Sequence, residues 1–579
     1  MVDIVNKLNW LIGGEAGYGI MSIGASFSKI CSRGGLNIFD YTEYPSLIRG
    51  GHNAYYVSVD EMEVFSQKRD VNLLVALNRE TIELHKTELS PDAGIIYDSE
   101  TVKIGKKEFS PKISLYPVPL IKFAQDIGKD KLMMNTVALG ASVAVVDYDF
   151  DLLASVIKEQ FTGKGDEIVN VNINSAKAGY DYVKKNFKNK FHYQLKKTGK
   201  GRSMVVSGND AFCLGAIKTG CKFLAVYPMT PINSILHYMK AKEKGCNLVV
   251  VQPEDEIAAI NMAVGASYAG VRSMTCSSGG GFSLMVEALG MAGMTETPLV
   301  IVESGRGSPS SGLPTWTEQG DLRFLMHASQ GEFPRIILAP GDVDDCFYFG
   351  MQAFNLAEKY QLPVFLIMDK YVSESHKSTK KFNDKLIKIE RGLLVNEDAK
   401  PGEKYERYKF TDSGISKRAI PGLKNRTVMT SSYEHSELGL FDDSAENHAK
   451  MMEKRLGKLK LVLKDVPKPI LYGPKKAKLT IIGWGSTKYP ILEALKTLNE
   501  KKAVVNYLQI TSIIPFHSDI VAKVMDSSKT LIIENNATAQ LRGVIRENTL
   551  KTPDYSYLKY DSRPFYPEDI VKKVQGLVK

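Results

Sequence analysis

Residues 226–236 read VYPMTPINSIL, and after a short polar, helical spacer residues 247–275 read NLVVVQPEDEIAAINMAVGASYAGVRSMT. Each piece is a strand-to-helix junction. Phe223 to Tyr227 is a short apolar run of strand type. Pro228 ends it, and Thr230, standing before Pro231, is pushed toward an extended conformation. Pro231 suits the first turn of a helix predicted over roughly Ile232 to Lys242. Thr230 is then expected at or near the N-cap, facing unpaired N–H groups. Two readings stand: Thr230 caps its own helix, or the helix mouth takes an anion such as a small carboxylate.

The second junction runs from Val249–Val251 through Gln252-Pro253 into Glu254-Asp255-Glu256. Acids in a first turn are favoured by the helix dipole, which accounts for Glu254 and Asp255. The helix behind them carries Ile257, Ala258, Ala259, Ile260, Met262, Ala263, Val264 and Ala266. A helix apolar on most faces is expected to be buried. Its opening acid would be partly buried too and suited to exchange a proton with a bound ring or acid.

Outward from these junctions the pattern alternates. Strands are predicted at Phe223–Tyr227, Asn247–Val251, Val271–Thr275, Leu299–Glu303 and Leu362–Met368, with helices between. Such alternation with short loops is a parallel sheet covered by helices, whose ligands sit at the carboxyl ends of the strands. Two further loops reach that end. One is Cys276-Ser277-Ser278-Gly279-Gly280-Gly281-Phe282; the other runs from Ser304 to Thr315 and holds one arginine, Arg306. An arginine fork binds a carboxylate bidentately, so Arg306 and Thr230 are candidates to hold one small carboxylate; an ion pair that orders the loop is the other reading of Arg306.

Before this unit lies a separate α/β domain. Strand Asn9–Ile12 leads into Gly13-Gly14-Glu15-Ala16-Gly17-Tyr18-Gly19 and a helix with Ile20, Ile23, Phe27 and Ile30 at helical spacing. A glycine turn between strand and helix cradles anions, here through Gly14, Gly17 and Gly19. With Asp40 about twenty residues on it partly imitates a dinucleotide fingerprint, though the glycine spacing is irregular. Arg49-Gly50-Gly51 is a turn with a fixed positive charge, open to a phosphate, a partner carboxylate or solvent. After the central unit, residues 376–474 are irregular and charged and read as an insertion or wrap-around linker. Residues 475–579 are α/β again, with Gly485-Ser486 opening a helix. The domain expectation is 1–190, 201–375, 376–474 and 475–579.

The 579 residues are 44% hydrophobic and 24% charged, the balance of a multidomain globular chain. A formal charge of +10, spread over scattered lysines without an aromatic-interleaved stripe, argues against nucleic-acid binding. Six cysteines form no CxxC pair, so neither a structural zinc nor an iron–sulfur cluster is expected on this chain alone. No run reaches membrane-spanning length and no signal-peptide pattern opens the chain, so a cytoplasmic protein is the expectation.

The blocks resemble a known family. Tyr227-Pro228-Met229-Thr230-Pro231 resembles the YPITP-type signature of the α subunit of 2-oxoacid:ferredoxin oxidoreductases, and Pro253 to Ala259 with Gly265-Ala266-Ser267 resembles the next block. Ser277 to Met285 looks like TSGPGFSLM, with Ser277 for threonine and Gly280 for proline; Arg306 to Leu313 resembles RGGPSTGLP, followed by Thr317-Glu318-Gln319. The first domain is similar to the family's γ subunit through its glycine loop, with Ala16 for the usual glutamine, and through Arg49-Gly50-Gly51. The last resembles the transketolase C-terminal-like domain through Glu534 to Leu541, where Ala539 replaces the usual glycine. Nearly the whole chain is covered, in the fused γ–α form.

The resemblance implies an α/β multidomain fold: a γ-type, CoA-associated domain, a thiamine diphosphate pyrimidine-binding parallel-sheet domain and a transketolase C-terminal-like domain. It implies that Glu256 bonds the aminopyrimidine, that Ser277, Ser278 and Gly279 line the cofactor, that Thr230 and Arg306 bind the 2-oxoacid carboxylate, and that Gly14, Gly17, Gly19 and Arg49 contact a cofactor. The reaction implied is oxidative decarboxylation of 2-oxoglutarate or pyruvate to acyl-CoA and CO2, with ferredoxin reduced. Mg2+ and a [4Fe-4S] cluster would lie on a partner β subunit, in a heterodimer or a dimer of heterodimers, and no metal on this chain. The alternatives are another thiamine enzyme subunit, such as an indolepyruvate ferredoxin oxidoreductase or a transketolase-like transferase, and a non-catalytic acyl- or nucleotide-binding module.

Overall fold

The computed structural model describes residues 3–47, 50–105, 107–187, 191–199, 201, 203–500 and 504–578. The chain divides into two compact α/β units. One holds residues 1–206 with 375–381 and 566–572; the other holds 207–374, 382–565 and 573–579.

The first unit is built on a sheet ordered Ser114–Val118, Leu89–Asp98, Val71–Ala76, Lys7–Glu15, His52–Asp60, Asn37–Glu43, His376–Thr379 and Met204–Ser207. The first four strands are parallel. The strand His52–Asp60 then runs antiparallel to both Lys7–Glu15 and Asn37–Glu43. The helix Ile20–Arg33 packs on this sheet through Ile20, Ile23, Phe27 and Ile30, and Phe27 stacks on Trp10 with ring centroids 4.4 Å apart.

This order removes the dinucleotide reading. In a dinucleotide-binding unit the strand after the first helix lies beside the first strand and parallel to it. Here an antiparallel strand stands between them. The acid that imitated the ribose ligand is also engaged: Asp40 is buried and accepts from Ser28 Oγ at 2.9 Å, the Tyr55 hydroxyl at 2.7 Å and the His376 amide at 2.9 Å.

The second unit has two sheets. The larger is ordered Val249–Val251, Phe223–Ala225, Ser273–Ser277, Leu299–Gly305, Pro363–Asp369, Ile336–Leu338 and Ser512–Ile514. Its first six strands are parallel and the last antiparallel. The smaller is ordered Ile470–Tyr472, Val505–Ile510, Leu479–Trp484, Lys529–Glu534 and Tyr555–Leu558, parallel except for its first strand. One apolar core runs through both, joining Ile301, Phe282 and Phe365 to Trp484, Leu508 and Ile532.

Between the sheets in sequence, the charged segment ends in the helix Ala445–Val462. It is not a solvated appendage. Its Lys454 and Lys458 are buried and both meet Glu296, Lys454 Nζ at 2.5 Å. Arg407 Nη2 donates to the Glu296 carbonyl at 2.9 Å, and Arg455 grips Glu434 with two nitrogens at 2.9 and 2.7 Å. No helix of the described residues is long and apolar enough to cross a membrane.

Candidate functional site

The loops that leave the carboxyl ends of the parallel strands gather on one side of the larger sheet. The strand Val249–Val251 leads to the helix Glu256–Tyr268, whose N-cap is Asp255; its side chain accepts from the Ala258 amide at 2.7 Å. Glu256 is therefore the first residue inside the helix. It is buried, and no donor among the described residues reaches its Oε1. A buried acceptor without a partner is costly, so it marks a place where a donor from outside the chain belongs.

The glycine loop explains how that carboxyl stays reachable. A Cβ built on Gly281 would overlap both Glu256 Oε1 and Ser277 Oγ, so only glycine lets the loop lie against the acid. Gly280 is open: nothing stands within 4 Å of its missing Cβ. Ser277 and Ser278 are buried at the strand end, and Ser277 Oγ lies 3.8 Å from Met229 Sδ.

Beside this wall is a cavity of about 510 Å3, lined by Met229, Ser278, Gly279, Arg306, Asp321 and Phe324 among others. Arg306 is half-buried at the end of strand Leu299–Gly305. Its Nη1 donates to the Thr230 carbonyl at 2.9 Å, which leaves the rest of the guanidinium fork facing the cavity. Burial lowers its pKa from the ordinary guanidinium value, and Asp321 opposes that.

Thr230 differs from expectation. The helix begins at Asn233 with Ile232 as its N-cap, and no side chain caps it. A turn at 230–232 takes up the difference. Thr230 thus meets Arg306 through its carbonyl and is not among the residues that line the cavity.

The helix Glu256–Tyr268 also departs from the sequence reading. It is not buried all round: Ile257 and Met262 are 49% and 43% exposed.

Two acids that the sequence reading gave no role belong to this region, and one of them, Asp321, lines the cavity. Asp321 precedes the helix Leu322–His327 and packs against Gly279, whose Cβ would come 2.5 Å from Asp321 Oδ2. Glu303 is fully buried in strand Leu299–Gly305, register partner of Ser277. Burial, with Asp321 and Asp369 nearby, pushes its pKa well above the usual carboxylate range. An acid ending the apolar run VIVES of a central strand was the available signal.

In the first unit, Gly14 ends within strand Lys7–Glu15, Gly17 has φ +97° with open space beside it, and Gly19 is the left-handed N-cap of the helix Ile20–Arg33. Asn135 Nδ2 closes on Gly19 and donates to the Tyr18 carbonyl at 2.8 Å. Arg49 lies outside the described residues.

Comparison with known proteins bears on this arrangement. The family described as pyruvate flavodoxin/ferredoxin oxidoreductase, thiamine diphosphate-binding, matches residues 214–454, and that described as pyruvate ferredoxin/flavodoxin oxidoreductase matches residues 9–182. A 2-oxoacid:ferredoxin oxidoreductase subunit alpha from Sulfolobus sp is 34% identical over 636 aligned residues, covering 99% of this chain and 97% of its own. The chain belongs to the 2-oxoacid:ferredoxin oxidoreductase family. A 2-oxoglutarate:ferredoxin oxidoreductase from Magnetococcus marinus, solved with 2-oxoglutarate, coenzyme A and succinyl-CoA bound, superposes with a TM-score of 0.92 at 32% identity, over 99% of this chain and 100% of that one. A 2-oxoglutarate synthase subunit from Methanocaldococcus jannaschii is 35% identical over 335 residues, 57% of this chain and 88% of its own. Within the 2-oxoacid:ferredoxin oxidoreductases this chain is an alpha-type subunit consistent with the fused γ–α form; the family decarboxylates 2-oxoacids oxidatively, reduces ferredoxin and works with partner subunits.

Proposed function

We propose that this chain contributes the aminopyrimidine side of a thiamine diphosphate site and the wall that receives the carboxylate of a 2-oxoacid, in an enzyme that forms acyl-CoA and CO2 and passes two electrons to ferredoxin. The observation that carries this reading is the buried, donorless Oε1 of Glu256, kept accessible by Gly281. An aminopyrimidine nitrogen is a donor of the kind that oxygen lacks. When bound, the cofactor supplies the nucleophilic carbon and the electron sink that decarboxylation of a 2-oxoacid needs.

The protein's own part is positional and electrostatic. Glu256 holds and exchanges a proton at the ring nitrogen. Ser277, Ser278 and Gly279 form the loop against which the cofactor lies. Arg306, tethered to Thr230, meets the substrate carboxylate with its remaining donors. 2-Oxoglutarate and pyruvate are the substrates this reading favours, supported for the former by the bound ligand in the Magnetococcus marinus enzyme.

A partner β subunit completes the site in this reading, and that subunit is where the reading puts Mg2+ and the [4Fe-4S] cluster. We assign residues 1–190 to a γ-type, CoA-associated domain in which Gly14, Gly17, Gly19 and Arg49 belong to cofactor contacts. Residues 201–375 form the pyrimidine-binding domain, 376–474 an insertion and 475–579 the transketolase C-terminal-like domain. A cytoplasmic heterodimer, or a dimer of it, fits this chemistry.

The test is Glu256→Gln in the complex co-expressed with the β subunit. Viologen reduction by 2-oxoglutarate or pyruvate with CoA is expected to fall by about 10²–10⁴-fold. Unchanged reduction rejects the assignment of Glu256.

A further inference from the structure

Asn209 is fully buried in the first turn of the helix Gly208–Lys218, and its side chain reaches the turn that tethers Arg306. Its Nδ2 donates to the Pro231 carbonyl at 2.9 Å and to Ser234 Oγ at 2.8 Å. A carbonyl only accepts, so the amide nitrogen, and not the oxygen, faces Pro231. The neighbouring carbonyl, that of Thr230, is the one that accepts from Arg306 Nη1 at 2.9 Å. Two side chains from different elements thus hold consecutive carbonyls of one short turn.

That turn brings little bonding of its own. Pro228 and Pro231 have no N–H, and the helix Asn233–Cys246 begins without a side-chain cap. The Ile232 amide closes the turn on the Met229 carbonyl at 2.9 Å, and Met229 lines the cavity that Arg306 enters. The platform that carries Asn209 lies directly on backbone. A Cβ on Gly208 would come 2.3 Å from the Val372 carbonyl oxygen, and one on Gly215 2.4 Å from that of Phe347. Asn209 Oδ1 has no donor among the described residues. A buried acceptor without a partner costs stability, so the amide is not accounted for by its own bonding; what it supplies is the pair of bonds from Nδ2.

We propose that Asn209 is a positioning residue for 2-oxoacid binding: by fixing the Pro231 carbonyl it sets the adjacent Thr230 carbonyl, which orients the Arg306 fork toward the substrate carboxylate. Asn209 is not among the residues that line the cavity, and it acts through Arg306. This rests on the reading that Arg306 receives the substrate carboxylate. A planar fork that makes two parallel bonds depends on its orientation in a way that a point charge does not. Misplacing such a group by about 1 Å costs up to about 10²-fold.

The experiment uses the complex co-expressed with the β subunit. It reads kcat, KM for 2-oxoglutarate and for pyruvate, KM for CoA, and thiamine diphosphate affinity by cofactor titration. Asn209→Asp keeps the shape and sets an oxygen against the Pro231 carbonyl in place of the donor. KM for both 2-oxoacids is expected to rise about tenfold or more, by similar factors because they share the carboxylate on Arg306, with kcat falling less. KM for CoA and cofactor affinity are expected to stay at wild type. Asn209→Ala removes the donor without adding an opposed oxygen and is expected to give the same pattern more weakly. In an Arg306→Gln background, Asn209→Asp is expected to add less than about twofold to KM. Equal losses in CoA and cofactor binding, full additivity with Arg306→Gln, or failure of both Asn209 variants to assemble would make Asn209 a structural residue and overturn the proposal. Arg306→Gln alone separates the two claims: if it leaves KM unchanged, the underlying reading of Arg306 fails; if it raises KM while Asn209→Asp does not, only the positioning role fails.

Discussion

The side-chain nitrogen of Gln540 donates to the carbonyl oxygen of Gly320 at 2.7 Å, and its oxygen accepts from the Arg323 amide at 2.9 Å. Gln540 opens the helix Gln540–Thr549 after the smaller sheet, while Gly320 stands immediately before Asp321 on the cavity wall. Gln319 doubles the link: its Nε2 donates to the Trp484 carbonyl at 2.9 Å and its Oε1 accepts from the Asn535 amide at 2.9 Å. The last α/β segment thus acts on the site by holding the turn that presents Asp321. Gln540→Ala removes both bonds and leaves the Gly320 carbonyl without this donor. A loss of about 1–3 kcal/mol is expected in denaturant unfolding, with KM for the 2-oxoacid rising more than kcat falls.

Gly281→Ala tests the glycine loop. The added methyl meets Glu256 Oε1 at the end of its side chain and the short Ser277 Oγ. Glu256 must be displaced from the place it holds at the helix mouth. Activity is expected to fall at least tenfold with weakened thiamine diphosphate binding, read by cofactor titration of the complex. Gly280→Ala, with open space around it, is the control and is expected to keep wild-type activity.

The alternation of strands and helices was legible because period and turn chemistry are local. The parallel strands expected in the second unit are present and differ by one to a few residues at their ends. What escaped the sequence depends on distant partners. Lys454 and Lys458 look like solvated charges on an amphipathic helix until Glu296, more than 150 residues earlier, is brought against them. Asp40 looked like a ribose ligand until Tyr55 and His376 closed on it. At the site, Glu256 and Arg306 were visible as acid and arginine at strand ends, but Asp321 was not, since its place on the cavity wall depends on Gly279 packed against it.

Ala539 sits at φ 52°, ψ 54°, the left-handed conformation, as the N-cap of the helix that Gln540 begins. A β-carbon is disfavoured there by about 1–2 kcal/mol, while glycine adds freedom to the unfolded chain worth about 0.4–1 kcal/mol. Ala539→Gly is therefore expected to stabilise the protein by roughly 0.5 kcal/mol. A small rise in the denaturation midpoint with unchanged kinetics is the expected result; destabilisation would mean that the Ala539 methyl has a packing role.

Glu296 supports the charged segment as the common partner of two buried ammonium groups. Burial alone would raise its pKa, but Lys458 and Lys454, aided by Arg407, hold it far below the usual carboxylate range. Burial dominates Lys458 the other way and pushes it down to about 7 despite Glu296. Glu296→Gln leaves both cations buried without their counter-charge, and a loss of about 3–5 kcal/mol is expected. The pH dependence follows from the directions. A carboxylate depressed in the native state contributes stability that is present above its unfolded pKa and is lost as pH falls, so acid is expected to destabilise wild type more steeply than Glu296→Gln. A lysine depressed to about 7 binds its proton more readily when unfolded, so wild-type stability is expected to climb as pH rises from about 7 toward the ordinary lysine value. Chemical denaturation from pH 4 to 10, followed by tryptophan fluorescence, reads both limbs; a wild-type profile that is flat on the acid side relative to Glu296→Gln would show that the two lysines do not depend on Glu296 for their burial.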